Sequence, residues 1–409
     1  MKKLSLLAAS VALVLVGCGG GSGGGATGGD TTANNPVSPG KSTSSKELAT
    51  KLANVNPTVN DDANICGTYG GIEGAVLRTE HFKVGVMDSG VTDANLEKAA
   101  RVTQVAFNDL LTLIDLDAET DLHIDESNPW VVCVDSKKTG NGAGHVNAFE
   151  FSPENDAVED YRLAKHELTH TVTSELLGDV EAYLKSERWF DEGIAHNWGS
   201  PAETLGAIQL ADFTQNVGAP AIIKLHSQTI ALWADNPDYS FMEYASFSTV
   251  IDYMIHKLGV TKADLLDVIR KTKDLPFEVA FNTVMSDKGL SLTLSDLEDP
   301  AYIQNKIIDG WLVDYQATGS IVADVNLAMI FVENDDYMSG SIESVVDYSK
   351  GIYESRLETF KDGTYELYAL DSADKVYGPV NVTVKNHAMG NLNLTGIPLC
   401  TSAFCSEQD

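Results

Sequence analysis

Apolar residues alternate from Glu80 to Met87, where Phe82, Val84 and Val86 share one parity, as in a half-buried strand. The period then lengthens. Leu96, Ala99, Ala100, Thr103, Phe107, Leu110, Leu111 and Ile114 recur at helical spacing, with Thr92 or Asp93 placed to cap that helix. Trp130 to Asp135 is a continuous apolar run and predicts a buried strand. His145 to Phe151 predicts a second strand after a Gly-rich turn. A helix follows, opened by Asp156 and Glu159 as a capping box and closed near Gly178. Strand, helix, strand, strand, helix is an α+β order.

Further along, residues 200 to about 315 are mostly helical in pattern, with an amphipathic stretch from Tyr244 to Leu258 stopped by Gly259. The last part of the chain returns to short alternating runs, TYELYALD, GPVNVTVKN and NLNLTG, separated by turn signals. They predict a small antiparallel β-sandwich. Residues 19–62 are rich in Gly, Ser, Thr, Asn and Pro and read as a flexible stalk, interrupted by a helical patch at Lys46–Asn54. The expected organisation is a leader at 1–18, the stalk at 19–62, an α/β unit at 63–200, a helical subdomain at 201–315 and a β-sandwich-like domain at 316–409.

The 409 residues are 43% hydrophobic and 21% charged, with 59 acidic against 28 basic side chains and a net charge of −31. Phosphate binding needs clustered Lys and Arg, so nucleic acid is excluded as a partner. Residues 1–18, MKKLSLLAASVALVLVGC, join two lysines to a short apolar run and read as an export signal. Their ending resembles the lipobox of bacterial lipoproteins, which implies lipidation of Cys18 and a membrane anchor in the cell envelope. No later apolar run reaches the roughly 18 residues of a membrane span. Outside the cytoplasm Cys66, Cys133, Cys400 and Cys405 can form two disulfides. Of the three pairings, Cys66 with Cys133 and Cys400 with Cys405 keep each bridge within one domain.

The chemistry concentrates in Arg162 to Leu176, RLAKHELTHTVTSEL. His166 and His170 are four apart on one helical face, so their imidazoles can share one metal ion. Glu167 sits beside them as a base for a water that the metal activates. Ala164, Leu168, Val172 and Leu176 form an apolar row beside that face. A catalytic zinc centre needs a third protein ligand, which directs attention to Arg188 to His196, RWFDEGIAH.

HELTH followed by WFDEGIA resembles the gluzincin metallopeptidases, the thermolysin and aminopeptidase superfamily. The resemblance covers about residues 75 to 315 and implies a zincin-like fold, a twisted sheet with an active-site helix. It implies one Zn²⁺ held by His166, His170 and Glu192, with Glu167 as general base. Twenty-one residues separate His170 from Glu192, implying a longer loop around Gly178 to Ser186. Tyr244, at the start of YASFSTVIDYMIHKLG, matches a helix-start tyrosine that donates to a developing oxyanion. Phe277 to Leu297 resembles the closing helical hairpin of related families. One departure stands out: His196 occupies the place of an aspartate that orients a ligand imidazole. His196 and Asp191 are therefore alternatives, either as supports for the ligands or as the third ligand.

GHVNAFEF stands where such folds carry an edge strand that pairs with extended peptide, making Asn147, Glu150 and His145 candidate substrate contacts or plain edge residues. The leading expectation is a lipid-anchored zinc metallopeptidase acting on peptide or protein substrates. The alternative is an inactive zinc-binding surface lipoprotein that works as an adhesion module through its C-terminal β-domain. A GxMEN string of the aminopeptidase type is absent, which tilts the expectation toward internal cleavage.

Overall fold

The computed structural model describes residues 46–125, 127–136, 142–145, 148–153, 157–178, 186–199, 247–311, 317–333, 342–347, 352–355, 363–373, 375–385 and 389–401. The architecture is α+β. Strands β1 (Thr58–Asn60), β2 (Val76–Arg78), β3 (Phe82–Val86), β4 (Trp130–Val134), β5 (Gly142–His145) and β6 (Ala148–Phe151) form one sheet. Their order is β1-β2-β3-β4-β6-β5. The central pairs β3–β4 and β4–β6 are parallel, and β5 runs antiparallel to β6 at the edge.

Strand parity decides which face is buried. Phe82 and Val84, Trp130 and Val132, and Phe149 and Phe151 are at most 1% exposed and join one core. Helices α2 (Asp93–Ile114) and α3 (Ala157–Leu177) contribute the rest of that core. Thr92 caps α2 by accepting the N–H of Asn95 at 3.2 Å, leaving Asp93 as the first helical residue. Helix α3 ends where Gly178 takes φ +81° and its N–H bonds to Ser174 O at 3.0 Å. Lys98 on α2 meets the fully buried Asp160 of α3 at 2.5 Å, locking the two helices by charge.

Expectations change at several points. The run from His145 to Phe151 is two antiparallel strands, with His145 paired to Ala148. Only Ala148–Phe151 of that run is β6; His145 closes β5, which occupies the Gly-rich stretch expected to be a turn. The stalk ends earlier than residue 62. Helix α1 (Lys46–Asn54) buries Leu48 completely, Lys51 pairs with Asp109 at 2.9 Å, and β1 joins the sheet. Arg101 of α2 donates to Leu52 O at 2.9 Å and to Val55 O, satisfying carbonyls at and beyond the end of α1. The α/β residues and the described helical residues 247–311 share a core. One core runs from Leu48 to Trp311, and Phe190 meets Phe277 edge-on at 5.1 Å between ring centroids.

In the helical part, α4 (Arg188–Gly199) precedes α5, which runs through residues 247–252 and continues as a π-helical turn at Tyr253–Lys257. Gly259, at φ +73°, follows that turn. Helices α6 (Lys262–Thr272) and α7 (Phe277–Asp287) come next, each buried along one apolar stripe.

The C-terminal strands β7 (Ala317–Ala323), β8 (Leu327–Glu333), β9 (Ile342–Asp347), β10 (Ile352–Ser355), β11 (Gly363–Asp371), β12 (Val376–Val384) and β13 (Leu392–Leu394) pair into a single sheet. Its order is β12-β11-β8-β9-β10-β7-β13. The chain after β13 returns to β12, where Gly378 N–H meets Pro398 O at 2.8 Å and Cys400 N–H meets Val376 O at 2.9 Å. The expected sandwich of two facing sheets is therefore one sheet whose ends approach. It encloses its own core, including Ile330, Leu367, Leu392 and Leu394. Alternation identifies strands but not which edges pair, because pairing is long-range.

Candidate metal centre

Helix α3 is buried on most of its circumference, although it carries Thr169, Thr171 and Thr173. Their hydroxyls are satisfied locally: Thr169 donates to Lys165 O at 2.9 Å, Thr171 to Glu167 O at 3.1 Å and Thr173 to His170 O at 3.0 Å. Ala164, Leu168 and Val172 are fully buried on the core row, and Leu176 is partly buried.

Glycines let α4 approach from two sides. A Cβ on Gly199 would stand 3.0–3.1 Å from the Cβ, Cα and N atoms of His166. A Cβ on Gly193 would stand 2.9 Å from Phe247 O and 3.0 Å from Ile251 Cγ1. The Gly of WFDEGIA is thus the point at which α4 meets α5.

This packing brings three donors together. Glu192 Oε2 lies 3.4 Å from His166 Nε2 and 3.3 Å from His170 Nε2, and the two ring nitrogens are 3.2 Å apart. A tetrahedral zinc centre with bonds of about 2.0–2.1 Å spaces its ligand atoms about 3.3 Å apart. The trio can hold a metal ion, and it is the one such group of His, Cys, Asp and Glu among the described residues. Two imidazoles and one carboxylate suit zinc and its transition-metal neighbours better than Ca²⁺ or Mg²⁺, which take oxygen ligands. The His166 side chain keeps 13% of its surface exposed, against 5% for His170. The more open side of the centre is therefore at His166.

Charge around the trio is organised. Burial opposes ionisation of Glu192, but His170 and His166 overcome it and hold the carboxyl well below its usual range. His170 Nδ1 lies 2.9 Å from Asp191 Oδ2, and the single hydroxyl proton of Thr173 is shared between His170 O and Asp191 Oδ1, the latter at 3.2 Å. Asp191 is thus beside the His170 imidazole on the side away from the shared donors, not among them. His196 is near His166, ring centroids 6.5 Å apart. Burial first, then the proximity of His166, lowers its pKa to about 4, with Glu192 opposing, so the ring is neutral at neutral pH. Glu167 is fully buried and follows His166 directly on α3.

Other expected positions fall elsewhere. Glu150 pairs with Cys133 and Ala143 on the sheet face opposite Phe149, and its charge raises the pKa of Tyr69 beyond what burial does. It does not join the metal trio. His145 is placed by its backbone at the end of edge strand β5. Cys66 and Cys133 form a disulfide, both at most 1% exposed, and Cys400 is also disulfide-bonded. Cys18, Asn147, Asp156, Tyr244 and Cys405 lie outside the described residues.

Sequence reasoning missed Thr173, Asn197 and Asp252. Asp252 left one trace: it is an acidic residue flanked in the chain by Ile251 and Tyr253. No protein-family model matches the chain, and no curated protein matches it.

Proposed function

We propose that the chain is a zinc-dependent metallopeptidase with a zincin-like catalytic unit of gluzincin type, exported and tethered to a bacterial envelope through lipid on Cys18. The observation that carries this reading is the mutual spacing of 3.2–3.4 Å among His166 Nε2, His170 Nε2 and Glu192 Oε2, with Glu167 next to His166 in the chain. Three protein donors leave one tetrahedral position for water, as catalytic zinc centres do and closed structural ones do not.

When bound, Zn²⁺ supplies Lewis acidity, lowering the pKa of a water toward neutrality and polarising a peptide carbonyl. His166, His170 and Glu192 would hold that ion, and Asp191 stands 2.9 Å from the other ring nitrogen of His170. Glu167 takes the proton of the attacking water and returns it to the leaving amine. Tyr244 is assigned the hydrogen bond to the developing oxyanion. The substrate is a peptide or protein.

The test is Glu167→Gln. The purified variant keeps stoichiometric zinc and loses hydrolysis of a mixed peptide library by at least about 100-fold. Undiminished cleavage would remove Glu167 from the mechanism. Absence of cleavage by the zinc-loaded parent would instead favour the adhesion module.

A further inference from the structure

Glu192 reaches the trio only if α4 sits at the right place along its own axis, since the ligand atoms of a metal site tolerate displacements of about 0.5 Å. The contact of Gly193 with Phe247 and Ile251 sets how close α4 comes to α5. Such a steric contact fixes the separation of two helices and constrains sliding weakly. A directional bond constrains it more, and there is one. Asn197 Nδ2 donates to Asp252 Oδ1 at 2.5 Å. Asn197 is five residues beyond Glu192, about 7.5 Å along the helix axis. Asp252 is fully buried on α5, immediately before the π-helical turn, and His256 Nε2 stands 3.9 Å from the same oxygen. A buried carboxylate is costly without hydrogen-bonding partners, and a bond to an ionised acceptor is about twice as strong as a neutral one.

We infer that Asp252 is a positioning residue for the metal centre, setting through Asn197 where Glu192 stands relative to His166 and His170. This inference rests on the metal centre described above and deepens the proposed function. It assigns Asp252 no contact with substrate or ion. It makes α5 the support that holds the third donor in register.

The experiment uses the full chain, with Zn²⁺ for affinity by chelator competition and Co²⁺ for its visible absorption spectrum. Asn197→Asp sets a second carboxylate against Asp252, and is expected to weaken Zn²⁺ retention by about tenfold or more and alter the Co²⁺ spectrum. Adding Asp252→Asn restores a carboxylate–amide pair with its partners exchanged, and is expected to bring retention back to within about threefold of the parent. Should Asn197→Asp not fold, Asn197→Ala carries the test, with the same direction of change. Folded Asn197→Asp or Asn197→Ala with parental retention and spectrum would overturn the inference, as would a folded exchanged pair that fails to restore them. Peptide hydrolysis reports separately: a parent that holds zinc but cleaves nothing ends the peptidase reading, while the metal readouts still decide the role of Asp252.

Discussion

His170 Nδ1 and Asp191 Oδ2 are 2.9 Å apart, so the residue preceding the third donor orients the second one. A carboxylate at that distance favours, by its charge, a proton on Nδ1, and Nε2 faces Glu192 and His166. Of the two candidates for this role in the sequence, Asp191 and His196, the second is a neutral ring near His166.

Asp191→Ala is expected to weaken zinc binding by about 10- to 100-fold, as for other partners of ligand imidazoles. Chelator competition followed by metal analysis measures it. His196→Ala serves as the comparison and is expected to change affinity less.

Gly193→Ala places a methyl group 2.9 Å from Phe247 O, a backbone atom that cannot swing aside. Overpacking of this kind costs about 1–3 kcal/mol. Urea denaturation is expected to show that loss, and zinc retention is expected to fall with it because α4 must shift to relieve the clash.

Lys165 is 1% exposed on α3, and its pKa falls to about 8 from 10.5 through burial first, with Asp109 opposing and Lys262 and Lys51 adding. Between those values the unfolded chain binds more protons than the folded one, so stability rises with pH across that window. The destabilisation from a buried ammonium is full below pH 8 and amounts to roughly 3 kcal/mol at most. Lys165→Met is therefore expected to unfold at higher urea at pH 7, and the gap to the parent is expected to narrow toward pH 10. A constant gap would show that the lysine is charged in both states.

The Cys66–Cys133 bridge closes a loop with a sequence separation of 67 and ties the segment before β2 to the central strand β4. Chain-entropy arguments put its contribution at ~4 kcal/mol. Cys66→Ala with Cys133→Ala is expected to lower the urea midpoint in oxidising buffer and to respond less to a reductant than the parent does, the remaining response belonging to the bridge at Cys400.

Local features were legible before the structure. Helix α2 spans the residues its periodicity predicts, from a cap at Thr92 to Ile114, because the signals that start and stop it lie within its own chain. The same holds for β3, β4 and the end of α3 at Gly178. Strand β1 and the docking of α1 were missed. Three residues of strand and a short amphipathic patch look like linker until a partner surface is present, and Leu48 is buried only by what it packs against. Strand β5 was missed because Gly142, Ala143 and Gly144 carry almost no side-chain pattern and were read as a turn.

By itself the sequence determined that His166 and His170 share a helical face with Glu167 between them, since four-residue spacing is a property of any α-helix. It also nominated Glu192, through a motif rather than through geometry. Tertiary packing alone decided that Glu192 Oε2 comes within 3.4 Å of both rings, that Asp191 rather than His196 faces His170, and that Asn197 meets Asp252 across 55 residues of chain. Those relations depend on how closely α3, α4 and α5 approach, and that distance is set by absent side chains at Gly193 and Gly199 meeting residues remote in sequence.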